Sequence, residues 1–334
     1  MGTTVAPEQI LKELAELWVD RGKQEQAESG AGVLRACSMT LLVLAESSED
    51  TQALGETIAA LMPEHPARAI LVRLSGDGER ALAERVYSQC WMPFGQRRQI
   101  CCEQVEITAS DAALGDLRSV LLPLTVPDLP LIVWCRSARL PQVREFWQIA
   151  AMAQKLVLDT SASPDPPGSL LRAAAIAESG ILLGDLSWTL LTRWREMLAQ
   201  VFENHENAAQ LPKISAIDLE WGGSRQVPAL YLGAWIRDSL VHAGVNPALH
   251  FARMGDGDLL RVRLTGEGFA AAMTRQDDRM VVTLNGASQC TNLPHPTDYM
   301  LMREELGIVR HDAVFEATLA SAARLLEPSG EGEK

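Results

Sequence analysis

The amino-acid sequence predicts an α/β protein of two domains: an N-terminal, mostly parallel, Rossmann-like sheet without a nucleotide fingerprint, then an α+β domain with an antiparallel sheet. Three observations lead to this fold class. The chain has 334 residues, more than one core usually holds. Apolar strands alternate with amphipathic helices in the first half, whereas strands follow one another in the second. Between the halves, residues 161–169 carry three prolines and one glycine, which indicates a linker.

The first domain is predicted over residues 1–160. Its helices are recognised by apolar residues three or four positions apart, and its strands by short apolar runs between turn residues. A short strand–helix–strand connection favours a right-handed parallel crossover. The predicted elements are a helix over 7–19, a strand over 39–46, a helix over 47–62, strands over 68–74, 85–92 and 99–108 with a turn over 93–98, a helix over 110–122, a strand over 129–135, a helix over 141–153 and a strand over 156–160.

The second domain is predicted over residues 170–334. Four strands in succession, without helices between them, indicate an antiparallel sheet. The predicted elements are helices near 169–179 and over 187–204, a strand over 213–221, a helix over 227–243, strands over 248–254, 259–264, 268–274 and 279–285, and a helix over 311–326, followed by a frayed tail over 328–334.

Composition and charge exclude several classes of protein. A net charge of −13 disfavours a nucleic-acid partner, because phosphate binding depends on clustered Lys and Arg. Apolar runs such as 40–45 are far shorter than the roughly 18 residues that a membrane span needs. The N-terminus has no basic start followed by an apolar block, so no secretory signal is expected. We therefore expect a cytoplasmic protein that binds neither nucleic acid nor membranes.

No local motif for catalysis, cofactor or metal stands out. The loop over 75–80 has only two glycines and lacks the third glycine of the dinucleotide fingerprint, and the loop after the strand over 39–46 begins with a carboxylate. The histidines and cysteines are scattered, no CxxC is present, and most thiols are expected to be small buried groups. We expect no catalytic residue, cofactor or metal. The alternative is a sugar-phosphate- or nucleotide-binding α/β enzyme or ligand module, whose groups meet only in three dimensions.

The segment GDLSWTLLTRWREMLAQVF, residues 184–202, predicts one helix that Asp185 or Ser187 caps. Trp188, Thr192 and Arg195 fall on a second face, and Trp and Arg are enriched at protein interfaces. The sequence leaves two alternatives: a purely structural helix, and a contact helix whose second face is accessible to a partner. The predicted core stripe consists of Leu190, Trp194, Met197, Val201 and Phe202.

A second segment, EHPARAILVRL over 64–74, forms a rigid joint before a strand. Pro66 restrains His65 toward an extended conformation, and Arg68 stands at the strand entrance. Either His65 and Arg68 pair with nearby carbonyls and acids, or they form a functional edge.

Three segments together resemble the OpcA family, the glucose-6-phosphate dehydrogenase assembly proteins. Residues 184–202 resemble the family's GDLNWTRLTPWRELLA helix, HPARAI resembles its HPxR segment, and LPLTVPDLPLIVWC resembles its LPLxVPDLPxxxWW segment, in the same order. The resemblance implies a non-catalytic protein that promotes assembly or activation of glucose-6-phosphate dehydrogenase, with partner-binding residues Asp185, Trp188, Thr192, Arg195, Glu196, His65 and Arg68.

The sequence departs from the family pattern at four of these positions. Ser187 replaces Asn, Leu190 replaces Arg, Arg193 replaces Pro, and Cys135 replaces a second Trp. The resemblance also implies redox control through cysteines in some members, for which this chain shows no local spacing.

Overall fold

The computed structural model describes the chain apart from six short stretches. The predicted turn over 93–98 and the tail over 328–334 lie outside the described residues. The described ranges are 6–28, 34–76, 78, 81–91 and 100–327.

The first part of the chain alternates strands and helices largely as predicted. Its elements are α1 Pro7–Glu28, β1 Leu34–Arg35, β2 Met39–Glu46, α2 Thr51–Leu61, β3 Ala67–Leu74, β4 Leu82–Trp91, β5 Ile100–Ala109, α3 Leu114–Leu124, β6 Leu131–Cys135, α4 Arg144–Ala150 and β7 Lys155–Leu158.

The second part contains additional short elements, because β8, β14, α8 and α10 do not appear among the predicted ones. Its elements are α5 Pro166–Glu178, β8 Leu182–Asp185, α6 Leu186–Thr189, α7 Thr192–Glu203, α8 His205–Ala208, β9 Ile214–Trp221, α9 Gln226–His242, β10 Ala248–Arg253, β11 Leu259–Gly266, β12 Phe269–Gln276, β13 Arg279–Leu284, β14 Ala287–Asn292, α10 Asp298–Gly307 and α11 Ala313–Arg324.

The chain divides into two compact units that are not continuous in sequence. The first contains residues 1–158, 181–184 and 298–307, and the second contains 159–180, 185–297 and 308–334. This division differs from the predicted domains 1–160 and 170–334, because β8 and α10 belong with the first unit. The unit to which so short a strand belongs is decided by the strand with which it pairs, and the local sequence does not show this pairing.

The predicted linker over 161–169 is ordered structure. The Asp159 carboxylate accepts a hydrogen bond from the Ser161 amide and starts a short 3-10 turn, and the Asp165 carboxylate accepts from the Gly168 amide and caps α5. Pro166 is the first residue of that helix, where its missing N–H costs nothing. Pro166 and Pro167 therefore begin a helix instead of interrupting regular structure, and the change from the first compact unit to the second falls just before this segment, between Leu158 and Asp159.

The first unit is built on the predicted, mostly parallel sheet. Its strand order is β1-β5-β3-β2-β6-β7-β8, and β4 pairs antiparallel with β5. The central strand β2 pairs in parallel with both β3 and β6. Seven of its eight residues are buried, as expected for a parallel strand that is covered on both faces.

A buried ion pair joins two elements of this unit that lie far apart in sequence. The Lys155 ammonium on β7 lies 2.6 Å from the Glu305 carboxylate on α10, and both side chains are almost fully buried. Gly184 on β8 packs against Glu305 so closely that a Cβ at this position would overlap the carboxylate. A side chain here would displace the Glu305 carboxylate, so the glycine leaves room for its pair with Lys155.

The second unit is built on a mixed sheet with the order β10-β9-β11-β12-β13-β14. All neighbouring strands are antiparallel except β9 and β10, which are parallel. Helix α9 packs on one face, where Gly233 faces the Phe251 ring and Leu219. A Cβ on Gly233 would lie 2.8 Å from Phe251, so the glycine permits the close approach of helix and sheet.

Strand pairing produces a disulfide that the sequence did not predict. Cys90 on β4 lies directly opposite Cys101 on β5, and the two sulfurs are bonded across a Cα–Cα distance of 4.1 Å. Cys102 points to the other face, as expected for adjacent strand residues, and burial raises the pKa of its thiol to about 11. The expectation that these thiols are mostly isolated apolar groups was wrong for the Cys90–Cys101 pair.

The part of the chain that the structure describes contains no helix long and apolar enough to cross a bilayer.

Candidate functional site: the signature segment

The segment over 184–202 is not one helix. It starts as the strand β8, continues through the single turn α6, and resumes as α7 after Leu190 and Leu191. Leu191 has φ near −87° and ψ near −1°, which interrupts regular α-helix. The prediction of a continuous helix over 187–204 was therefore wrong, because apolar periodicity persists across a short break.

Asp185 lies at the start of α6 and is fully buried. Its Oδ1 accepts hydrogen bonds from the Ser187 amide at 2.9 Å and the Thr160 amide at 3.2 Å. Its Oδ2 accepts from the Thr160 hydroxyl at 2.6 Å and the Tyr231 hydroxyl at 2.7 Å. The carboxylate thus connects α6, the 3-10 turn before α5, and α9. The predicted capping role is confirmed, whereas a direct contact with a partner would need surface that Asp185 does not have.

The pKa of Asp185 is raised to about 6. Burial, which disfavours the charged form, is the main cause, and the negative charge of Asp159 adds to it. The hydrogen bonds from Thr160, Tyr231 and Ser187 act in the opposite direction, because they favour the carboxylate. The ionised form is therefore costly at neutral pH even though its oxygens are well paired.

This pKa predicts a pH-dependent cost of Asp185→Asn. Because the folded pKa of about 6 lies above the ordinary value of 3.8, the group stabilises the fold below that ordinary value and loses this contribution as pH rises through 6. Asn does not titrate. We expect the loss of unfolding free energy to be about 1.4 kcal/mol larger at pH 5 than at pH 7.5, measured by urea titrations of parent and variant. A pH-independent difference would contradict the raised pKa.

Trp188 is only 2% exposed, so the predicted accessible position was wrong. Its ring packs against Tyr231 and Phe315, with centroids 5.9 Å away in both cases. The Arg195 guanidinium carbon lies 3.6 Å from the ring centroid, a cation–π contact. Within the described residues, the buried indole Nε1 has no hydrogen-bond partner. Trp188 is therefore part of the core of the second unit.

The buried stripe of this segment is displaced from the predicted one. Trp194 is 1% exposed, as predicted, but its buried neighbours are Leu191 and Leu198. Leu190, Met197, Val201 and Phe202 are only half-buried. The break at Leu190 and Leu191 changes the phase, and a single helical wheel drawn through 184–202 could not show this.

The outer side of α7 contains the predicted partner residues that solvent can reach. Thr192 and Arg195 are half-buried, and the Arg195 guanidinium donates to the Thr192 hydroxyl at 2.9 Å. Glu196 is exposed, and its carboxylate lies 2.8 Å from the Arg193 guanidinium. This exposed pair contributes little to stability.

The joint before β3 has a structural role at Arg68, which is 7% exposed. Its guanidinium donates to the buried Glu103 carboxylate and, at 2.8 Å, to the Leu124 carbonyl at the end of α3. Of the two alternatives for this segment, the structure shows at Arg68 the pairing with an acid and a carbonyl and not a functional edge, because a neighbouring strand supplies its counter-ion. His65 is half-buried, and its amide donates to the Leu61 carbonyl at the end of α2.

Ligands of open parallel sheets usually bind at the carboxyl ends of the strands, where the strand order reverses. In the first unit this place is beside β2, and ion pairs occupy it. Arg139 makes two hydrogen bonds to the Glu46 carboxylate and two to the Asp111 carboxylate, at 2.6 to 3.1 Å. Ser137 also donates to Glu46. The carboxylates at this crevice would repel a pyrophosphate.

A neighbouring arginine continues this network. Arg136 follows β6, and its guanidinium bridges Glu49 and Asp298, at 2.6 Å from each carboxylate. Its guanidinium carbon also lies 4.7 Å from the Trp134 ring centroid. Groups of three or more His, Cys, Asp or Glu side chains that could hold a metal ion are absent from the described residues.

Comparison with known proteins identifies the family. The family model described as the glucose-6-phosphate dehydrogenase subunit N-terminal domain matches residues 58–175, and the corresponding C-terminal domain model matches residues 181–319. The chain belongs to the OpcA family. The OpcA match covers both units, so the resemblance seen in the three sequence segments is confirmed.

Curated relatives agree with this family. The OxPP cycle protein OpcA of Synechococcus elongatus is 26% identical over 221 residues, which cover 65% of this chain and 46% of that protein. The OpcA protein of Nostoc punctiforme is 25% identical over 207 residues, covering 61% and 43%. The chain therefore spans less than half the length of the curated OpcA relatives that it matches.

Solved structures resemble this OpcA-family chain only distantly. A dehydrogenase from Chromobacterium violaceum is 9% identical, covers 87% of this chain and 94% of its own, and has a TM-score of 0.45. A dehydrogenase from Clostridium difficile is 8% identical over 86% and 97%, with a TM-score of 0.43. Likenesses this distant say nothing about activity.

Sequence reasoning did not find Thr160 and Tyr231, the two hydroxyl donors of Asp185. They lie 25 and 46 residues from Asp185 along the chain. No local pattern joins them to the signature segment, although a tyrosine within an otherwise apolar helix such as α9 indicates a buried hydroxyl that needs a partner.

Proposed function

We propose that this chain is a non-catalytic factor that binds glucose-6-phosphate dehydrogenase and favours its active oligomer or conformation. The observation that carries the proposal is the family match across both units. A protein that binds the active form more tightly than the inactive form shifts the population by the ratio of the two affinities. About 1.4 kcal/mol of preference gives a tenfold shift.

The crevice of the first unit supports a role without catalysis. Glu46 and Asp111 stand where a dinucleotide's phosphates would lie, and both are already paired with Arg139. A dinucleotide would have to separate Arg139 from these two carboxylates and place its phosphates beside their negative charges. The crevice therefore favours internal structure over ligand binding, which leaves the binding of another protein as the function that fits the family.

The signature segment supports a partner surface formed by α7. In this proposal Asp185 and Trp188 fix the helix from inside, while Thr192, Arg195 and Glu196 present its outer side to the dehydrogenase. His65 is a half-buried residue of the first unit, and we propose it as a separate partner contact. Arg68 would act indirectly, by holding β3 through its pair with Glu103.

The proposal predicts a defined kinetic outcome. The purified chain alone is expected to reduce no NADP with glucose 6-phosphate, whereas its addition to the dehydrogenase of the same organism should raise turnover at subsaturating substrate several-fold. Glu196→Lys is expected to weaken dehydrogenase binding about tenfold, because it reverses the charge of an exposed contact. Glu178→Lys, at the exposed end of α5, makes the same charge change as a control. Unchanged dehydrogenase kinetics at saturating chain would contradict the proposal.

A further inference from the structure

The sheet of the second unit has two faces of different character. Helix α9 packs on the face that carries Leu219 and Phe251. On the opposite face, called here the open face, the side chains are half-buried or exposed, except Glu220. Such a face normally bears charged and long polar side chains along its whole width. Here most of the charged side chains lie on one half, and among the described residues the other half carries a single one, Arg279, at the end of β13.

The charged half lies on β9, β10 and β11. Glu220 is buried, and it pairs with Arg261 at 2.7 Å and Arg263 at 2.6 Å. Two residues before Glu220 on β9, Asp218 pairs with His250 on β10 at 3.0 Å. The Arg263 side chain is 46% exposed and shares its carboxylate with Arg261, so N–H donors of its guanidinium remain directed to solvent.

The other half lies on β12, β13 and β14, where Gln276 pairs with Arg279 at one end and the other residues form an uncharged patch. Facing side chains here are small across the strands: Ala272 pairs with Thr283, and Val281 pairs with Cys290. Within the patch none exceeds valine in size, so this part of the surface is flat, and depletion of charge is typical of the centre of protein interfaces. The residues of this uncharged patch are Ala270, Ala272, Val281, Thr283, Ser288 and Cys290.

The edge strand β14 is also uncharged, and it is not protected against pairing with a strand of another protein. All six of its residues are exposed, and it pairs regularly with β13 without a bulge. Its sequence, ASQCTN, contains neither a charged residue nor a proline, the usual means by which edge strands avoid pairing with other proteins. At its end, an open cavity of about 510 Å³ has a charged side, lined by Asp277, Asp278 and Arg279, and an uncharged side, lined by Thr274, Val281 and Asn292.

We propose that the uncharged patch and the adjoining Arg263 form a docking surface for glucose-6-phosphate dehydrogenase, which rests on the proposed function. The flat patch fits an apolar surface of the enzyme, and the outward donors of Arg263 fit a carboxylate at its rim. A second copy is a poorer occupant, because each copy has a net charge of −13 and the copies repel each other.

Two substitutions test this surface. Ala272→Glu places a charge in the patch, and the fold tolerates it because Arg263 lies directly opposite on β11. Arg263→Ala removes the outward donors while Arg261 still pairs with Glu220. Each is expected to raise the Kd for the dehydrogenase at least about tenfold. The matched controls, Ala175→Glu on α5 and Arg237→Ala on α9, change exposed residues elsewhere in this unit and should stay within about twofold of the parent.

The unmodified chain offers an independent measurement, because Cys290 is an exposed free thiol inside the patch. Saturating dehydrogenase is expected to slow its alkylation by a maleimide at least about fivefold. Cys37, a half-exposed free thiol of the other unit, is the internal control and should react at an unchanged rate.

The outcomes separate the two proposals. If the parent binds and activates the enzyme while the patch variants bind equally well and Cys290 stays reactive, the docking surface is wrong and the function stands. If the parent does not bind the dehydrogenase, both are wrong. If Cys290 becomes protected as the concentration of the chain alone is raised, a second copy covers the patch and the assignment to the dehydrogenase is overturned.

Discussion

Trp188→Ala is expected to lower the free energy of unfolding by about 3 to 5 kcal/mol, as is usual when a buried tryptophan is removed. The ring is 2% exposed, packs against Tyr231 and Phe315, and lies under the Arg195 guanidinium. Trp194→Ala should have a similar effect, because that ring is 1% exposed. Both can be measured by urea denaturation followed by circular dichroism, which does not depend on the deleted fluorophore.

An exposed position on the same segment serves as the control for these variants. The Arg193 side chain is 72% exposed and pairs only with Glu196 among the residues described, so Arg193→Ala should change stability by less than about 0.5 kcal/mol. If Trp188→Ala left the unfolding free energy unchanged and abolished dehydrogenase binding, the ring would be a partner contact and its burial in the core would be refuted.

Asp185→Ala is expected to destabilise the protein by about 3 to 5 kcal/mol. The substitution leaves the Thr160 hydroxyl, the Tyr231 hydroxyl and the Ser187 amide without their acceptor, and each buried unpaired donor costs about 1 to 3 kcal/mol. The substitution also removes the cost of burying the Asp185 carboxylate, and this offsets part of the loss. Thermal and urea denaturation at pH 7.5 give the measurement.

Tyr231→Phe gives a graded comparison for the same network. It removes one donor and leaves the other hydrogen bonds of Asp185 intact, so a loss of about 1 to 2 kcal/mol is expected. Equal losses for Tyr231→Phe and Asp185→Ala would indicate that the tyrosine contact alone carries the stabilisation. An Asp185→Ala protein as stable as the parent would exclude a structural role for the carboxylate.

The two halves of the chain differ in how well their elements could be predicted. Strand β2 coincides with the predicted 39–46, because its apolar run and flanking turn residues are local signals. Strand β8 was not predicted, because its four residues are recognisable as a strand only from their pairing with β7. The prolines of 161–169 were interpreted as a break, although two aspartates cap the structures around them.

The candidate site, too, could be predicted from the sequence only in part. Asp185 could be recognised as a cap, because capping acts over two or three residues. Whether Trp188 faces solvent could not be predicted, because Tyr231 and Phe315 reach it from helices 43 and 127 positions further along the chain. Arg68 likewise meets its counter-ion, Glu103, from a neighbouring strand.

The sequence by itself determined the α/β class, the order of most elements and, through three segments, the family, because periodicity, turn chemistry and motifs are local properties of the chain. The tertiary structure alone decided which residues of the signature segment are buried, that Cys90 faces Cys101, and that six small uncharged residues of β12, β13 and β14 form one patch on the open sheet face. Each of these depends on strand pairing or helix packing between residues distant in sequence, whose register is set by the whole buried core.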